Sequence, residues 1–308
     1  MNKALRLATE KGYARFHQRE RAILLSQHVS TLRQLKKPPE PAYVLPMSNH
    51  PLDVSAPQGA VALVTGASDR IGATIAQALA RAGYAVVIHY RSNAEGARAL
   101  RKAIQADGGR AALVRADLGK RRQRQTLVEK AAACFGPLTL LVNNASLFDP
   151  DSALDIDEET WDQHFAIHAE APIFLARDFA NQLPRGTEGN IINIVDERVL
   201  HPSPAYFSYT LSKSVLWTAT QTLAQSLAPD IRVNAIGPGP VLPHSRQSEA
   251  EFERGVKALP LQRNAGPDEI AQGVLAILAL PSMTGQMLAL DGGKHLEFSP
   301  KRGPTPRQ

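Results

Sequence analysis

Short, almost wholly apolar runs recur through the middle of the chain, and between them apolar residues return every three or four positions. The runs are Val61-Ala-Leu-Val-Thr65, Tyr84–Tyr90, Ala111–Arg115, Leu138–Val142, Asn190–Val195, Ile231–Ala235 and Gln286–Leu290. Runs of this length without polar alternation predict strands buried on both faces, and the intervening period predicts crossover helices, the first over Ala73–Gly83. The pattern is that of an α/β domain built on a parallel sheet. The longest apolar stretches, such as Val274–Leu280, fall far short of the ~20 residues that cross a bilayer, so no integral membrane segment is expected. No internal repeat interrupts the pattern.

The first strand runs into Gly66-Ala-Ser-Asp-Arg-Ile-Gly72 and then directly into the first helix. Strand, glycine turn and helix start form a cradle for a pyrophosphate, because backbone N–H groups and the helix dipole face the anion and glycine allows close approach. Two glycines six apart are weak evidence alone, since an ordinary βα turn has the same look. The second strand ends in Arg91-Ser92-Asn93, where a dinucleotide fold binds the adenosine ribose. An acidic residue there would suit a free 2′-hydroxyl; arginine with a hydroxyl suits a 2′-phosphate, and the expected cofactor is NADPH.

Farther on, Tyr209 and Lys213 stand one helical turn apart, and Asp196 precedes them by thirteen residues. On one helix face, an ammonium beside a phenol is expected to lower the phenol's pKa and make Tyr209 a proton donor. Tyr206 has Thr210 at the same spacing, so the assignment falls on Tyr209.

With these residues in place the chain resembles the short-chain dehydrogenase/reductase family over about residues 58–296. The matching segments are Thr65-Gly66-x5-Gly72, Asp117-Leu118, Asn143-Asn-Ala-Ser146, the Tyr209/Lys213 pair and Gly237-Pro-Gly-Pro240, in the family's order. The resemblance implies a Rossmann-type doubly wound parallel sheet and, in solution, a homotetramer. It places Asp117 near the adenine, Asn144 on the nicotinamide side, Lys213 on the nicotinamide ribose and Gly239 beside the ring. It extends the cofactor contacts to Gly66, Ser68, Arg70, Ile71, Gly72, Tyr90, Arg91, Ser92, Asn93, Leu118, Ala145, Ser146, Tyr209 and Pro238.

Three departures narrow the likeness. Arg70 and Ser146 stand where most members have glycine, and Asp196 where they have serine. All three resemble the pteridine reductase branch, in which a phenylalanine shortly after the Asn-Ala-Ser segment stacks on the pterin; Phe148 stands there. The ending Leu290-Asp-Gly-Gly-Lys-His-Leu296 is similar to dihydromonapterin and dihydrofolate reductases of that branch. The substrate contacts implied are Arg70, Ser146, Phe148, Asp196 and Tyr209, with a dihydropterin or dihydrofolate as substrate. The chemistry agrees: a ketone needs a neutral hydroxyl donor, whereas a carboxyl can donate to or accept from a ring nitrogen or amino group. Apolar surroundings would raise the pKa of Asp196 and a cation such as Arg70 would lower it. Its plain structural alternative is to cap the following turn. Two rival readings are a ketone reductase of the 3-oxoacyl type and a non-catalytic NADP-sensing protein.

His168 occupies the place of a family asparagine that supports the lysine through a water. A hydrogen bond to water and a bond to a backbone carbonyl both remain open for it. His164 lies one turn earlier, but without Cys or carboxylate at ligand spacing no metal site is expected. Loop residues from about Leu242 to Glu251 shape the far end of the pocket.

Charge is unevenly placed. Residues 1–46 hold nine Lys or Arg against three Glu, the whole net charge of +6; the remainder, 26 against 26, is neutral, and no nucleic-acid-binding face is indicated. Residues 1–57 read as a basic extension, a helix to about residue 37 and a Pro-rich linker through Pro51. Its candidate roles are a dispensable or mis-assigned segment with translation from Met47, a partner or membrane-surface helix, or targeting. Residues 297–308 read as a disordered tail. The single Cys134 excludes an internal disulfide and fits a reducing, cytoplasmic setting.

Overall fold

The computed structural model of the protein describes residues 55–244 and 246–297. The expected N-terminal helix, most of the linker with Met47, and the tail beyond residue 297 lie outside these residues. Within them, β1 (Val61–Val64), β2 (Ala85–Tyr90), β3 (Arg110–Arg115), β4 (Leu140–Asn143), β5 (Gly189–Ile194), β6 (Ile231–Pro238) and β7 (Met287–Leu290) form one sheet. Its order is β3-β2-β1-β4-β5-β6-β7, and every neighbouring pair is parallel. Each strand lies within three residues of the run that predicts it.

Burial explains the patterning. Alternate residues of β1 enter different cores: Ala62 and Val64 pack with Ile75 and Leu79, while Val61 and Leu63 pack with Leu127, Leu175 and Phe179. The first helix, α1 (Arg70–Arg81), buries Gly72, Ile75, Ala76 and Leu79 at helical spacing. The other helices are α2 (Ala94–Ala106), α3 (Arg121–Arg124), α4 (Leu127–Phe135), α5 (Glu158–Phe165), α6 (Ala171–Gln182), α7 (Phe207–Leu227), α8 (Glu249–Lys257) and α9 (Pro267–Leu278). No helix among the described residues is long and apolar enough to cross a membrane.

The helix expected over Trp161–Pro172 is interrupted. Between α5 and α6, Ala166–Glu170 form a π-turn in which Ala171 N–H donates to the Ala166 carbonyl, five residues back. Pro172 follows at once and has no N–H for the His168 carbonyl, so the wider turn absorbs the missing donor. His168 sits on this turn.

Candidate active site

Strand order reverses between β1 and β4, whose carboxyl ends open side by side; ligands of open α/β sheets bind at such a switch point. The glycine turn after β1 meets the Asn144-Ala145-Ser146 segment after β4. Gly66 has φ +61°, and a Cβ there would sit 2.9 Å from Ala145 Cα; a Cβ at Gly72 would strike the Gly66 carbonyl oxygen and lie 2.5 Å from Asn144 Nδ2. Asn144 itself is engaged in this staple, its amide donating to the carbonyls of Thr65 (2.9 Å) and Gly66 (3.0 Å). Asp69 gives α1 no side-chain cap, so the helix start presents open N–H groups. The cavity in front, about 380 Å³, is lined by Gly66, Ser68, Arg70, Ile71, Gly72, Arg91, Ser92, Leu118, Ala145 and Ser146. This close-approach cradle with an uncapped helix start fits a dinucleotide pyrophosphate.

Under the turn lies His89, which sequence reasoning passed over. Its Nδ1 accepts the Gly66 N–H at 3.1 Å and its Nε2 donates to the Ala116 carbonyl at 3.1 Å. Burial pushes its pKa down to about 4, so the neutral ring supports the cradle. At the ribose end Arg91 and Ser92 are exposed. Asn93 is otherwise occupied: its Oδ1 accepts Gly96 N–H at the start of α2 and its Nδ2 donates to Asp69. Tyr90 packs against the core. Asp117 faces a neighbouring cavity and accepts the Gly119 N–H at 3.1 Å.

A larger cavity of about 800 Å³ adjoins the first and holds Asp196, Tyr209, Lys213, Ser146, Phe148, Pro238 and Gly239. Asp196 follows β5 and does two things at once. Its Oδ1 caps the short turn Glu197–Val199 by accepting Arg198 N–H at 3.0 Å, while its Oδ2 accepts the Tyr209 hydroxyl at 2.7 Å. The cap reading and the site reading are therefore compatible. Tyr209 and Lys213 project from α7, 5 % and 2 % exposed.

The electrostatics differ from those the spacing predicts. Lys213 Nζ donates to the Ile194 carbonyl at 2.8 Å and lies 5.7 Å from the Tyr209 ring centre. Burial lowers its pKa to about 8. Burial and then the Asp196 carboxylate push the Tyr209 pKa well above its ordinary value, the reverse of the lowering expected from the ammonium. Tyr209 is thus a firmly protonated hydroxyl whose proton points at a carboxylate. Nor is Arg70 the cation beside Asp196: its guanidinium donates to the carbonyls of Pro243 and Leu242. That cation is Arg198, 3.1 Å from Asp196 Oδ1 and 3.8 Å from Glu197 Oε1. Glu197 is buried, and its pKa is raised to about 7 by burial and then by Asp196.

Phe148 forms one wall. Its ring stacks on Tyr206 at 4.1 Å and 10°, and stands edge-on to Tyr209 at 4.8 Å. Arg198 lies over both Phe148 and Tyr206, at 5.4 and 5.5 Å. Arg70 and Tyr206 have φ of 51° and 58°, left-handed values that cost a side-chain-bearing residue energy, and both line this cavity. Arg246 ties the loop before α8 to the wall, pairing with Asp149 at 3.2 Å and donating to the Phe148 carbonyl. Sequence reasoning missed Tyr206, Arg198 and Glu197 as site residues, and reached Arg246 only as an unnamed member of the Leu242–Glu251 loop. For Arg198 a signal existed: aspartate two residues ahead after a strand invites a turn that folds the arginine back.

His168 bonds no backbone carbonyl, one of the two partners left open for it. Its ring contacts Ser146 Oγ, Leu147 N–H and Ser212 Oγ. No group of three or more His, Cys, Asp or Glu among the described residues is placed to hold a metal ion.

A parallel sheet with this switch point, glycine cradle and Tyr/Lys pair defines a class of nucleotide-dependent oxidoreductase. Residues 60–254 match the family model described as short chain dehydrogenase, and the chain belongs to that family. A crystal structure of FolM Alternative dihydrofolate reductase 1 from Brucella canis complexed with NADP is 45 % identical, covers 82 % of this chain and 99 % of that one, and superposes with a TM-score of 0.77. A short-chain type dehydrogenase/reductase from Picea abies is 37 % identical over 252 residues, 77 % of this chain and 92 % of that protein. Pteridine reductase 1 of Leishmania tarentolae is 32 % identical over 284 residues, 79 % of this chain and 98 % of that protein.

Proposed function

We propose that the protein is an NADPH-dependent reductase of a dihydropterin or dihydrofolate, delivering hydride to a pterin ring carbon and a proton to the adjacent nitrogen. The observation that carries this reading is the Asp196 carboxylate, 2.7 Å from the Tyr209 hydroxyl and beside the Phe148 wall, where a ketone reductase of the 3-oxoacyl type needs a neutral hydroxyl. NADPH suits the cradle of Gly66 and Gly72, with Arg91 and Ser92 at the 2′-phosphate; when bound, it supplies the hydride. The chain's residues supply the rest. Phe148 offers an aromatic face to a flat heterocycle. Tyr209 holds a proton on its hydroxyl, and Asp196, which accepts that bond, relays the proton between Tyr209 and the ring nitrogen or, through the same oxygen, accepts a bond from a ring N–H. Reduction of a C=N bond takes up one hydride and one proton, so the proton that leaves Tyr209 must be replaced from solvent, with Lys213 stabilising the phenolate formed. The related FolM structure with NADP supports the cofactor, and its description as a dihydrofolate reductase supports the substrate class. We take the assembly to be a homotetramer, which sedimentation would test.

Steady-state turnover with NADPH on dihydrobiopterin, dihydrofolate and an acetoacetyl thioester tests the reading. Pterin or folate turnover at least tenfold above the thioester is expected. Preference for the thioester would transfer the site to ketone reduction, and inactivity on all three would favour a sensor.

A further inference from the structure

Packed edge-on against Tyr209 lie two histidines with no part in the proposed proton transfer. His164 and His168 are 0 % and 1 % exposed, and their rings stack at 5.5 Å. Each makes the same two-ended connection. Nε2 of His168 accepts Leu147 N–H at 3.1 Å, and its Nδ1 lies 2.9 Å from Ser212 Oγ. Nε2 of His164 accepts Asp149 N–H at 3.3 Å, and its Nδ1 lies 2.7 Å from Ser208 Oγ. Leu147 and Asp149 are the two neighbours of Phe148; Ser208 and Ser212 bracket Tyr209 on α7. Both imidazoles also stand edge-on to the Tyr209 ring, at 5.9 and 5.2 Å.

Donor and acceptor chemistry fixes the protonation of both rings. A backbone N–H can only donate, so each Nε2 must carry a lone pair, and the proton of each neutral ring sits on Nδ1 facing a serine oxygen. The serines pass the polarity on: Ser212 donates to the Tyr209 carbonyl at 2.8 Å, and Ser208 donates to the Asp151 carboxylate. Asp151 also accepts Ser208 N–H at 3.1 Å, and so closes the N-terminus of α7, where Tyr206 offers no cap. A protonated ring would set N–H against N–H at Leu147 or Asp149. The charged and titratable groups facing His164 are Asp151, Asp149 and Lys213, and those facing His168 are Lys213 and His164. Ser146 Oγ and the Tyr209 ring complete the surroundings of His168. Burial depresses both rings below the ordinary histidine value, His168 well below it with Lys213 acting in the same direction.

The geometry points to His164 and His168 as paired positioning residues: two neutral imidazoles that rivet the segment carrying Phe148 to the helix carrying Tyr209, and so set the gap between the aromatic wall and the proton donor. The inference rests on the reading of Tyr209 and Phe148 given above.

The test uses the full chain, labelled with ¹⁵N-histidine, together with the variants Ser208→Ala, Ser212→Ala and the double substitution. At pH 7 two buried rings should show the neutral Nδ1–H form, distinct from the Nε2–H form of His89. Each single variant should lose about tenfold in kcat, and the double variant about a hundredfold, the scale of a misplacement of about 1 Å, with the NADPH Kd unchanged within about twofold. A charged or Nε2–H ring at either position overturns the proposal even if a variant fails to fold. So does a double variant within twofold of wild-type kcat, or a loss of NADPH binding in step with kcat. If wild type reduces the ketone and not the pterin, the pterin reading fails while the same comparison, run on the ketone, still decides this one.

Discussion

Replacing Arg91 by alanine removes the one cationic side chain that the turn after β2 presents to the cofactor cavity. The loop should survive the change, because Arg115 Nε holds the Arg91 carbonyl at 3.1 Å and Asn93 caps α2. A hydrogen bond to a charged group is worth roughly 1.5–3 kcal/mol. Two unit charges 4 Å apart attract by about 1 kcal/mol in water and about 4 kcal/mol near a protein surface. Arg91 is exposed, which argues for the lower half of these ranges, about 2 kcal/mol or roughly thirtyfold in affinity. The assay is kcat/KM for NADPH and for NADH at fixed saturating substrate. The NADPH value should fall about thirtyfold and the NADH value should hold within about twofold. The wild-type NADPH value should also weaken between about 0.1 and 1 M salt, as the screening length drops from about 10 to 3 Å, and the variant's should weaken less. An unchanged NADPH/NADH ratio would refute the reasoning and move 2′-phosphate recognition to Ser92 or Arg115.

Tyr209→Phe should cut turnover by about 10²–10⁴ while NADPH binding, followed by fluorescence, stays within about twofold; turnover within threefold of wild type would remove Tyr209 as the donor. Arg198→Met strips the ion pair from Asp196 and leaves buried Glu197 without its neighbouring cation, so pterin turnover should drop at least tenfold with NADPH affinity retained; unchanged turnover would make Arg198 a bystander. His89, held near pKa 4 against an ordinary 6.5, is neutral in the fold, so its contribution to stability is full above about pH 6.5 and is lost as pH falls toward 4. The loss should approach about 3 kcal/mol by denaturant titration, and His89→Gln should flatten the slope; equal slopes for the two proteins would contradict the assignment.

The strands were legible because a parallel sheet covered on both faces demands continuous apolar runs, and Val61–Val64 or Leu140–Asn143 have no polar face to show. The glycine turn and the Tyr209/Lys213 pair were legible for a similar reason, since their spacing is set within one turn or one helix. What stayed hidden depends on docking between elements. Ser208 and Ser212 share the i, i+4 spacing of His164 and His168, yet nothing local says that the two helices face each other. The environment of Tyr209 was misjudged because spacing reports the nearby ammonium but not burial or the Asp196 carboxylate, which act more strongly. Arg70 was set beside Asp196 by its place in the motif, whereas the short turn Glu197–Val199 brings Arg198 there instead. The break before Pro172 had its cause in plain sight, a proline that cannot donate, but its outcome, a π-turn rather than a kink, is decided by packing.

The Asp196 carboxylate carries the choice of a pterin over a carbonyl, and two substitutions at that position test it most directly. Asp196→Asn keeps the size and the hydrogen bond to Tyr209 but cannot carry a proton; Asp196→Ser restores a plain hydroxyl donor. The measurement is kcat/KM on a dihydropterin with NADPH for both variants, beside their NADPH affinity and melting temperature. The account predicts that both lose at least about a hundredfold in pterin turnover while binding NADPH and folding as wild type. Full dihydropterin turnover in both would contradict it.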